Sequence, residues 1–283
     1  MNFIESLKNK SQENDSIVCM GLDPVLDKIP IKDNPENSIK KFYLDILDAH
    51  VAENTLPAIA KPNIAFYEQY GFEGLRALKE VIKRFQEEKI PVILDAKRGD
   101  IGKTSSAYAK AAFEFWGADA ITVAPYMGSD SISPFSEWCK KGKGVYVLTR
   151  TSNKGAVDLQ NLVSEGKPIY MKTAEKVAGG WYKEGIGAVV GATYPKELFE
   201  ISTFFVNSNK KIPMLIPGVG SQGGSASDVV ANLKTTNNPI WLHRINSSSE
   251  LNYAYIKQNT DDFAGASVKA LRQLNKEIGK IDF

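Results

Sequence analysis

Four charged residues have a spacing that could bring them into one site. Asp95 and Lys97 lie two residues apart at the end of an apolar run, so in an extended segment their side chains project to the same side. Lys61 ends the preceding apolar run, and Asp100 follows Lys97 by three residues. Alternating lysines and aspartates can hold charge in a partly dry site, because each charge then has an opposite neighbour. A strand-end lysine also suits a Schiff-base aldolase, and the structural alternative is a ring of ion pairs closing one end of the fold.

A glycine-rich stretch, Pro217–Gly224, follows the seventh apolar run of the chain. Such a stretch exposes backbone N–H groups, which suit a phosphate group when they lie ahead of a helix. In barrels of alternating strands and helices, phosphate commonly binds at the loops after the seventh and eighth strands. We therefore expect a small phosphorylated substrate.

Eight short apolar runs suited to buried parallel strands recur along the chain, with helical patterns between them. Ile39, Phe42, Ile46 and His50 show this helical spacing after the first run. We predict strands at Ile17–Leu22, Ala58–Lys61, Pro91–Asp95, Ala120–Ala124, Val145–Thr149, Gly187–Val190, Pro213–Ile216 and Pro239–Ile245. Because no linker divides the 283 residues, the pattern predicts an α/β fold, a single-domain (β/α)8 TIM barrel over residues 1–283 with its active site on the loops after the strands. A polar N-terminal segment, 1–15, and a C-terminal helix at about 260–280 would flank it.

The composition argues against several classes of function. The 35 basic and 33 acidic residues leave a net charge of +2, so no overall field attracts nucleic acid or a membrane surface. Two cysteines and two histidines are too few for a disulfide framework, a cysteine-built zinc site or a metal centre resting on several histidines. We expect a cytoplasmic enzyme, because no segment reaches the roughly 20 apolar residues of a membrane span and no signal-peptide core is visible.

The most specific motif of the chain runs from Asp95 to Thr104. It reads Asp-Ala-Lys-Arg-Gly-Asp-Ile-Gly-Lys-Thr and resembles the D-x-K-x-x-D-I-x-x-T signature of the orotidine 5′-monophosphate decarboxylase family. Further matching pieces extend from the first strand to the eighth: Gly21–Asp23, Ala60–Asn63 with Phe66, Thr151–Ala156 and Pro217–Gly224. The length and the threonine–serine loop resemble the longer bacterial branch of that family.

The resemblance implies a barrel homodimer with active sites at the subunit interface, a nucleotide substrate, and neither metal nor organic cofactor. The family converts orotidine 5′-monophosphate to UMP and CO2, the last step of de novo UMP synthesis. By matching position, Lys97 would protonate C6 as CO2 leaves, and Asp95 would lie beside the departing carboxylate. Lys61 and Asp100 would complete a tetrad.

The resemblance also assigns residues to substrate binding. Asp100, Ile101 and Thr104 would enter from the partner subunit. Asp23 would hydrogen-bond the ribose, and Ser152 would read the pyrimidine edge. The phosphate would lie against the glycine-rich stretch, with contacts from Pro217, Gln222 and Gly223.

The chain departs from the family pattern after the eighth strand. The family usually places a phosphate-gripping arginine there, and this chain has Ser249 in its place. Losing a charge-assisted contact of that kind would weaken binding by roughly 10- to 150-fold without abolishing decarboxylation. Ser248 and Ser249 could still offer hydroxyl and N–H groups, and Arg244 is a candidate substitute. Ser247 has capping-box spacing with Glu250 and is predicted to cap a helix.

Two other functions remain open on the sequence. A metal-dependent sugar-phosphate decarboxylase or aldolase can share the D-x-K-x-x-D barrel, although such relatives tend to place an acidic metal ligand where this chain has Lys61. A non-catalytic nucleotide-binding sensor would account for the missing arginine, but the intact tetrad argues against it. Loss of activity with a chelator would favour the first alternative, and UMP release would exclude the second.

Overall fold

Eight parallel strands form a nearly closed barrel in a computed structural model that describes residues 1–220 and 223–283. In chain order they are β1 (Val18–Leu22), β2 (Ile59–Pro62), β3 (Ile93–Arg98), β4 (Ala120–Val123), β5 (Gly144–Arg150), β6 (Ile186–Val190), β7 (Met214–Ile216) and β8 (Arg244–Ser247). Their spatial order is β2-β1-β8-β7-β6-β5-β4-β3. Bridges between Ala60 and Val92 and between Asn63 and Asp95 join the two ends of that order. The predicted single-domain TIM barrel is confirmed.

Helices surround the barrel and connect its strands. They are α1 (Phe3–Asn14), α2 (Pro35–Ala52), α3 (Ala65–Glu68), α4 (Gly71–Glu87), α5 (Gly102–Lys110), α6 (Ser129–Ser136), α7 (Val157–Gln160), α8 (Ile169–Ala178), α9 (Pro195–Asn207), α10 (Ala226–Thr235), α11 (Ser249–Asn252), α12 (Ala254–Gln258) and α13 (Phe263–Ile278). Contacts between α2 and α4, α8 and α9, α9 and α10, and α13 and α2 form much of the outer layer. Within the described residues, no helix combines the length and apolar character that crossing a membrane requires.

The eighth strand begins later than the sequence predicts. Ile240–Leu242 form a 3-10 turn, and β8 begins only at Arg244. Ile240, Trp241 and Leu242 are all buried, and a continuous apolar run does not distinguish a strand from a buried turn. The later start places Arg244 at the beginning of its strand, away from the barrel mouth.

The N-terminal segment, predicted only as a polar stretch over 1–15, contains a helix. Glu5 N donates to Asn2 Oδ1 at 2.8 Å and Asn2 N donates to Glu5 Oε2 at 2.8 Å, which is a capping box at the start of α1. Phe3, Ile4 and Leu7 are buried along one face. A Cβ added at Gly144 would lie 2.4 Å from the Phe3 ring, so α1 packs directly against the start of β5.

Both histidines are buried in the fold and outside the barrel mouth. His50 Nδ1 donates to the Thr55 carbonyl at 2.7 Å, so its Nε2 accepts from Ser267 Oγ at 3.1 Å. Met214 N donates to His243 Nδ1 at 3.0 Å. Burial lowers the pKa of His50 from 6.5 to about 4 and that of His243 to about 3.

We expect the free energy of unfolding to fall as the pH is lowered from 6.5 toward 4. The unfolded chain binds protons on its histidines in this range while the folded chain does not, so acidification favours unfolding. His50 should account for about 2 kcal/mol of the loss between pH 7 and pH 5. Urea unfolding of the wild type and of His50→Gln at both pH values measures this share. An equal loss in both proteins would contradict it.

Candidate active site

A cavity of about 650 Å³ opens at the carboxyl ends of the barrel strands. Eight predicted site residues line it: Asp23, Lys61, Asp95, Lys97, Ser152, Pro217, Ser248 and Ser249. They lie at the ends of six different strands or in the loops that follow them. This is where a barrel presents polar side chains, because its interior is filled with apolar ones.

Lys61, Asp95 and Lys97 form a charged triad in this cavity. Lys61 Nζ donates to Asp95 Oδ2 at 2.9 Å, and Lys97 Nζ donates to Asp95 Oδ1 at 2.7 Å. Burial alone would raise the pKa of Asp95, but the two ammonium groups outweigh it and lower that pKa well below its usual range. Burial alone would lower the pKa of Lys61, but the Asp95 carboxylate outweighs it and raises that pKa. Two cations and one anion leave the triad a net positive charge, which suits an anionic substrate group.

The backbone at Lys97 departs from an extended strand. Leu94 pairs with Ile121 and Arg98 pairs with Val123. Four residue steps along β3 therefore cover the same distance as two residue steps along β4, which is a β-bulge. Lys97 lies in this bulge with φ +46°, a left-handed conformation that is uncommon for residues other than glycine. Its side chain is 49% exposed, whereas those of Lys61 and Asp95 are buried. The bulge therefore turns one lysine of the triad toward the open cavity.

Thr122 is a residue of this site that sequence reasoning missed. It lies on β4, lines the cavity and donates to Asp95 Oδ1 at 2.9 Å. The one signal that could have indicated it is a hydroxyl in the otherwise apolar run Ala120–Val123.

Asp23 carries an unsatisfied carboxylate oxygen in the cavity. Its Oδ2 accepts from Ser248 Oγ at 2.7 Å, whereas its buried Oδ1 has no hydrogen-bond partner among the described residues. A buried acceptor of this kind is costly unless a ligand donor satisfies it.

Ser247 is the last residue of β8, and Ser248 occupies the N-cap position of α11 without a side-chain capping bond. The capping prediction for Ser247 was therefore wrong.

The loop that carries Ser152 is held by two glutamine hydrogen bonds. Thr151 N donates to Gln160 Oε1 at 2.9 Å, and Gln160 Nε2 donates to Thr151 Oγ1 at 2.7 Å. Gly191 permits the loop to approach β6, because a Cβ there would lie 2.8 Å from Ser152 Cα. Gln160 also lines the cavity and was not singled out from the sequence.

Three predicted residues lie outside this cavity at the start of α5. The Asp100 carboxylate accepts from Ile101 N at 2.8 Å, and neither residue lines the cavity. Ile101 is 52% exposed, and Thr104 is exposed on the same helix. The cavity that holds the triad is therefore not lined by Asp100, Ile101 or Thr104.

Comparison with known proteins shows which family the chain belongs to. The family model for orotidine 5′-phosphate decarboxylase / HUMPS proteins matches residues 18–238. The chain belongs to this family. A curated orotidine 5′-phosphate decarboxylase of Herpetosiphon aurantiacus is 44% identical over 233 residues, covering 81% of this chain and 83% of the relative.

Other members of the orotidine 5′-phosphate decarboxylase family match nearly the whole chain. The curated protein of Cupriavidus metallidurans is 41% identical over 283 residues, covering 99% of this chain and 98% of the relative. The solved structure of Leishmania donovani OMP decarboxylase matches with a TM-score of 0.78 at 32% identity, covering 98% of this chain and 99% of that one. The family resemblance predicted from the motifs is confirmed.

The glycine-rich loop of this decarboxylase-family protein uses several of its N–H groups internally. Gly220 N donates to Gly224 O, Gly223 N to Gly220 O and Gly224 N to Gly218 O, all at 2.9–3.0 Å. Positive φ angles at Gly218, Gly220 and Gly223 permit this tight path. Of the two predicted phosphate contacts described in this loop, Pro217 lines the cavity and Gly223 does not. The predicted phosphate contact Gln222 lies outside the described residues.

Arg244 does not replace the family's arginine, so that prediction is corrected. Its side chain is fully buried and donates to the carbonyls of Trp241, His243 and Leu7 at 2.6–3.0 Å. Burial lowers its pKa to about 10. Arg244 therefore ties the start of β8 to α1, at the end of the barrel remote from the cavity.

Proposed function

We propose that this family member decarboxylates orotidine 5′-monophosphate to UMP and CO2, the last step of de novo UMP synthesis, without a metal ion or an organic cofactor. The observation that carries the proposal is the charged triad, whose exposed member, Lys97, reaches the open cavity. Decarboxylation leaves electron density on C6 and requires one proton there. An ammonium group held by a buried carboxylate supplies both a positive charge and that proton.

The sizes of the interaction energies indicate which part of the site contributes most to lowering the activation barrier. A carboxylate pair at about 4 Å and an effective dielectric of about 20 repels by about 4 kcal/mol. Placing the substrate carboxylate beside Asp95 thus contributes only a small part of barrier reductions that reach about 23 kcal/mol. Stabilisation of the developing carbanion by Lys97, together with binding energy from remote parts of the nucleotide, must supply the rest.

Two further features of the cavity support a nucleotide substrate. Asp23 Oδ1 has no hydrogen-bond partner in the described part of the chain and can accept from a ribose hydroxyl, and Ser248 orients that carboxylate through Oδ2. Ser152 lines the cavity on a fixed loop, where its hydroxyl and backbone can meet the pyrimidine edge. These assignments require a ligand with several hydrogen-bonding groups around an anionic centre.

We also propose that the active unit is a homodimer in which Asp100, Ile101 and Thr104 complete the site of the partner subunit. Exposed apolar side chains near α5 support this arrangement: Ile101, Tyr108, Tyr126 and Met127. Tyr126, the most exposed of them at 90%, lies in the segment between β4 and α6, and α6 contacts α5. Burying such a surface against a second copy would bring Asp100 toward a charged triad that lacks it.

The deciding experiment is UMP release from orotidine 5′-monophosphate by the purified protein, with and without a chelator. We expect equal release in both conditions. Activity that disappears with the chelator would indicate the metal-dependent alternative. Folded protein that binds the nucleotide without releasing UMP would indicate a sensor.

Replacing Ser249 with arginine should strengthen the phosphate end of the site. Ser249 lines the cavity, and a guanidinium there could form a charge-assisted contact worth about 1.5–3 kcal/mol. We expect kcat/KM for orotidine 5′-monophosphate to rise roughly 10-fold or more. The matched controls are Ser249→Gln, which has length without charge, and orotidine, which lacks phosphate; neither should show the gain. An unchanged kcat/KM would show that other groups already grip the phosphate.

A further inference from the structure

The bulge in β3 releases two backbone N–H groups beside the charged triad. Because four residue steps along β3 cover only two along β4, Ala96 and Lys97 are not part of the regular pairing between these strands. Ala96 N donates to Thr122 Oγ1 at 3.1 Å, and Lys97 N donates to the same oxygen at 2.9 Å. A single side chain of β4 therefore satisfies both groups that the bulge frees.

The direction of the Thr122 hydroxyl follows from its bonding capacity. A hydroxyl offers two acceptor lone pairs and one proton. Two N–H groups occupy the lone pairs, so the proton is directed to Asp95 Oδ1 at 2.9 Å. Thr122 is 1% exposed, so water has little access to replace any of the three bonds.

We propose that Thr122 is a positioning residue that fixes Lys97 at both ends, an inference that rests on the proposed decarboxylase function. It holds the lysine backbone in its left-handed conformation through the N–H bond. It holds the lysine ammonium indirectly, because the Asp95 oxygen that accepts from Thr122 also accepts from Lys97 Nζ. One hydroxyl thus links the bulge, the carboxylate and the proton donor.

The test compares Thr122→Val with Thr122→Ser. Valine keeps the branched shape but cannot bond, leaving two N–H groups without their partner and Asp95 with one donor fewer. We expect kcat for orotidine 5′-monophosphate to fall about 10- to 100-fold, because small displacements of a catalytic group are costly. KM should change by less than about 3-fold, since the ribose and phosphate contacts remain. Serine restores the hydroxyl and should stay within about 5-fold of the wild-type kcat.

Thr149→Val is the matched control. Thr149 is a buried threonine on β5 whose hydroxyl donates to the Val147 carbonyl at 3.0 Å, and it does not line the cavity. Its loss of a hydroxyl should leave kcat within about 2-fold. A Thr122→Val enzyme with near wild-type kcat would overturn the proposal. So would a serine variant as slow as valine, or an equal loss in the control.

A second measurement separates this inference from the proposed function. We expect hydrogen exchange at the Ala96 and Lys97 amides to accelerate at least about 10-fold in Thr122→Val and to stay unchanged in Thr149→Val. A wild-type protein that releases no UMP would remove the decarboxylase function, and these two amides would still show whether Thr122 holds the bulge. Unchanged exchange would show that it does not.

Discussion

Replacing Lys97 with alanine is expected to lower kcat for orotidine 5′-monophosphate by at least about 10³-fold. The substitution removes the cation proposed to stabilise the carbanion and the proton proposed to quench it. Asp95 keeps its bonds from Lys61 and Thr122, so its carboxylate stays paired and the barrel should remain folded. Alanine carries a Cβ, as lysine does, so the left-handed backbone at this position is equally strained in the variant and in the wild type. The substitution therefore gives the loop no reason to change its path. The loss should therefore appear in turnover at saturating substrate.

The control for this prediction is Lys41→Ala, which removes an exposed lysine of α2 that pairs with Asp45 outside the cavity. Its kcat should match that of the wild type. Circular dichroism and thermal melting of both variants establish that they are folded. A Lys97→Ala enzyme with near-normal kcat would refute the assignment of Lys97 as proton donor.

The sequence predicts which residues meet at the mouth better than it predicts how they meet. Buried parallel strands end in the same layer of a barrel, so the position of Lys61, Asp95 and Lys97 at strand ends suffices to bring them together. The two-residue spacing of Asp95 and Lys97 suggests an extended segment, whereas the structure has a bulge with Lys97 at φ +46°. Nothing in the local sequence specifies that bulge, because its N–H groups are satisfied by Thr122, on another strand.

The residues at the phosphate end of the site are harder to predict from the sequence, because tertiary contacts decide where they lie. Arg244 is a candidate phosphate contact only if its strand begins near Pro239, and the actual boundary depends on how Trp241 and Leu242 pack in the core. The glycine-rich loop likewise depends on pairing that sequence does not encode locally, since Gly223 and Gly224 donate within the loop. The start of β8 and the hydrogen bonds of the glycine-rich loop are set by tertiary contacts, whereas the presence and order of the buried strands follow from the apolar periodicity.

Mixing two inactive variants should restore activity if the sites are shared. Asp95→Asn disables the subunit's own triad, and Asp100→Asn disables the group it lends to its partner. In each hybrid dimer one site then combines an intact Asp95 with an intact Asp100 of the partner subunit, and the other site carries both changes. Random exchange of equal amounts makes half of the dimers hybrids, so about one quarter of the sites should become active.

The matched control combines wild-type protein with the double variant Asp95→Asn/Asp100→Asn. Hybrids of this pair contain no intact site, so exchange should lower the activity of the mixture to about half of the wild-type input. Asp95→Asn leaves Lys61 buried beside a neutral amide, so each variant is first checked for folding by thermal melting. Native mass spectrometry of tagged subunits shows whether hybrids form. If they form and the complementary pair gains no activity while the control pair loses none, Asp100 acts within its own subunit.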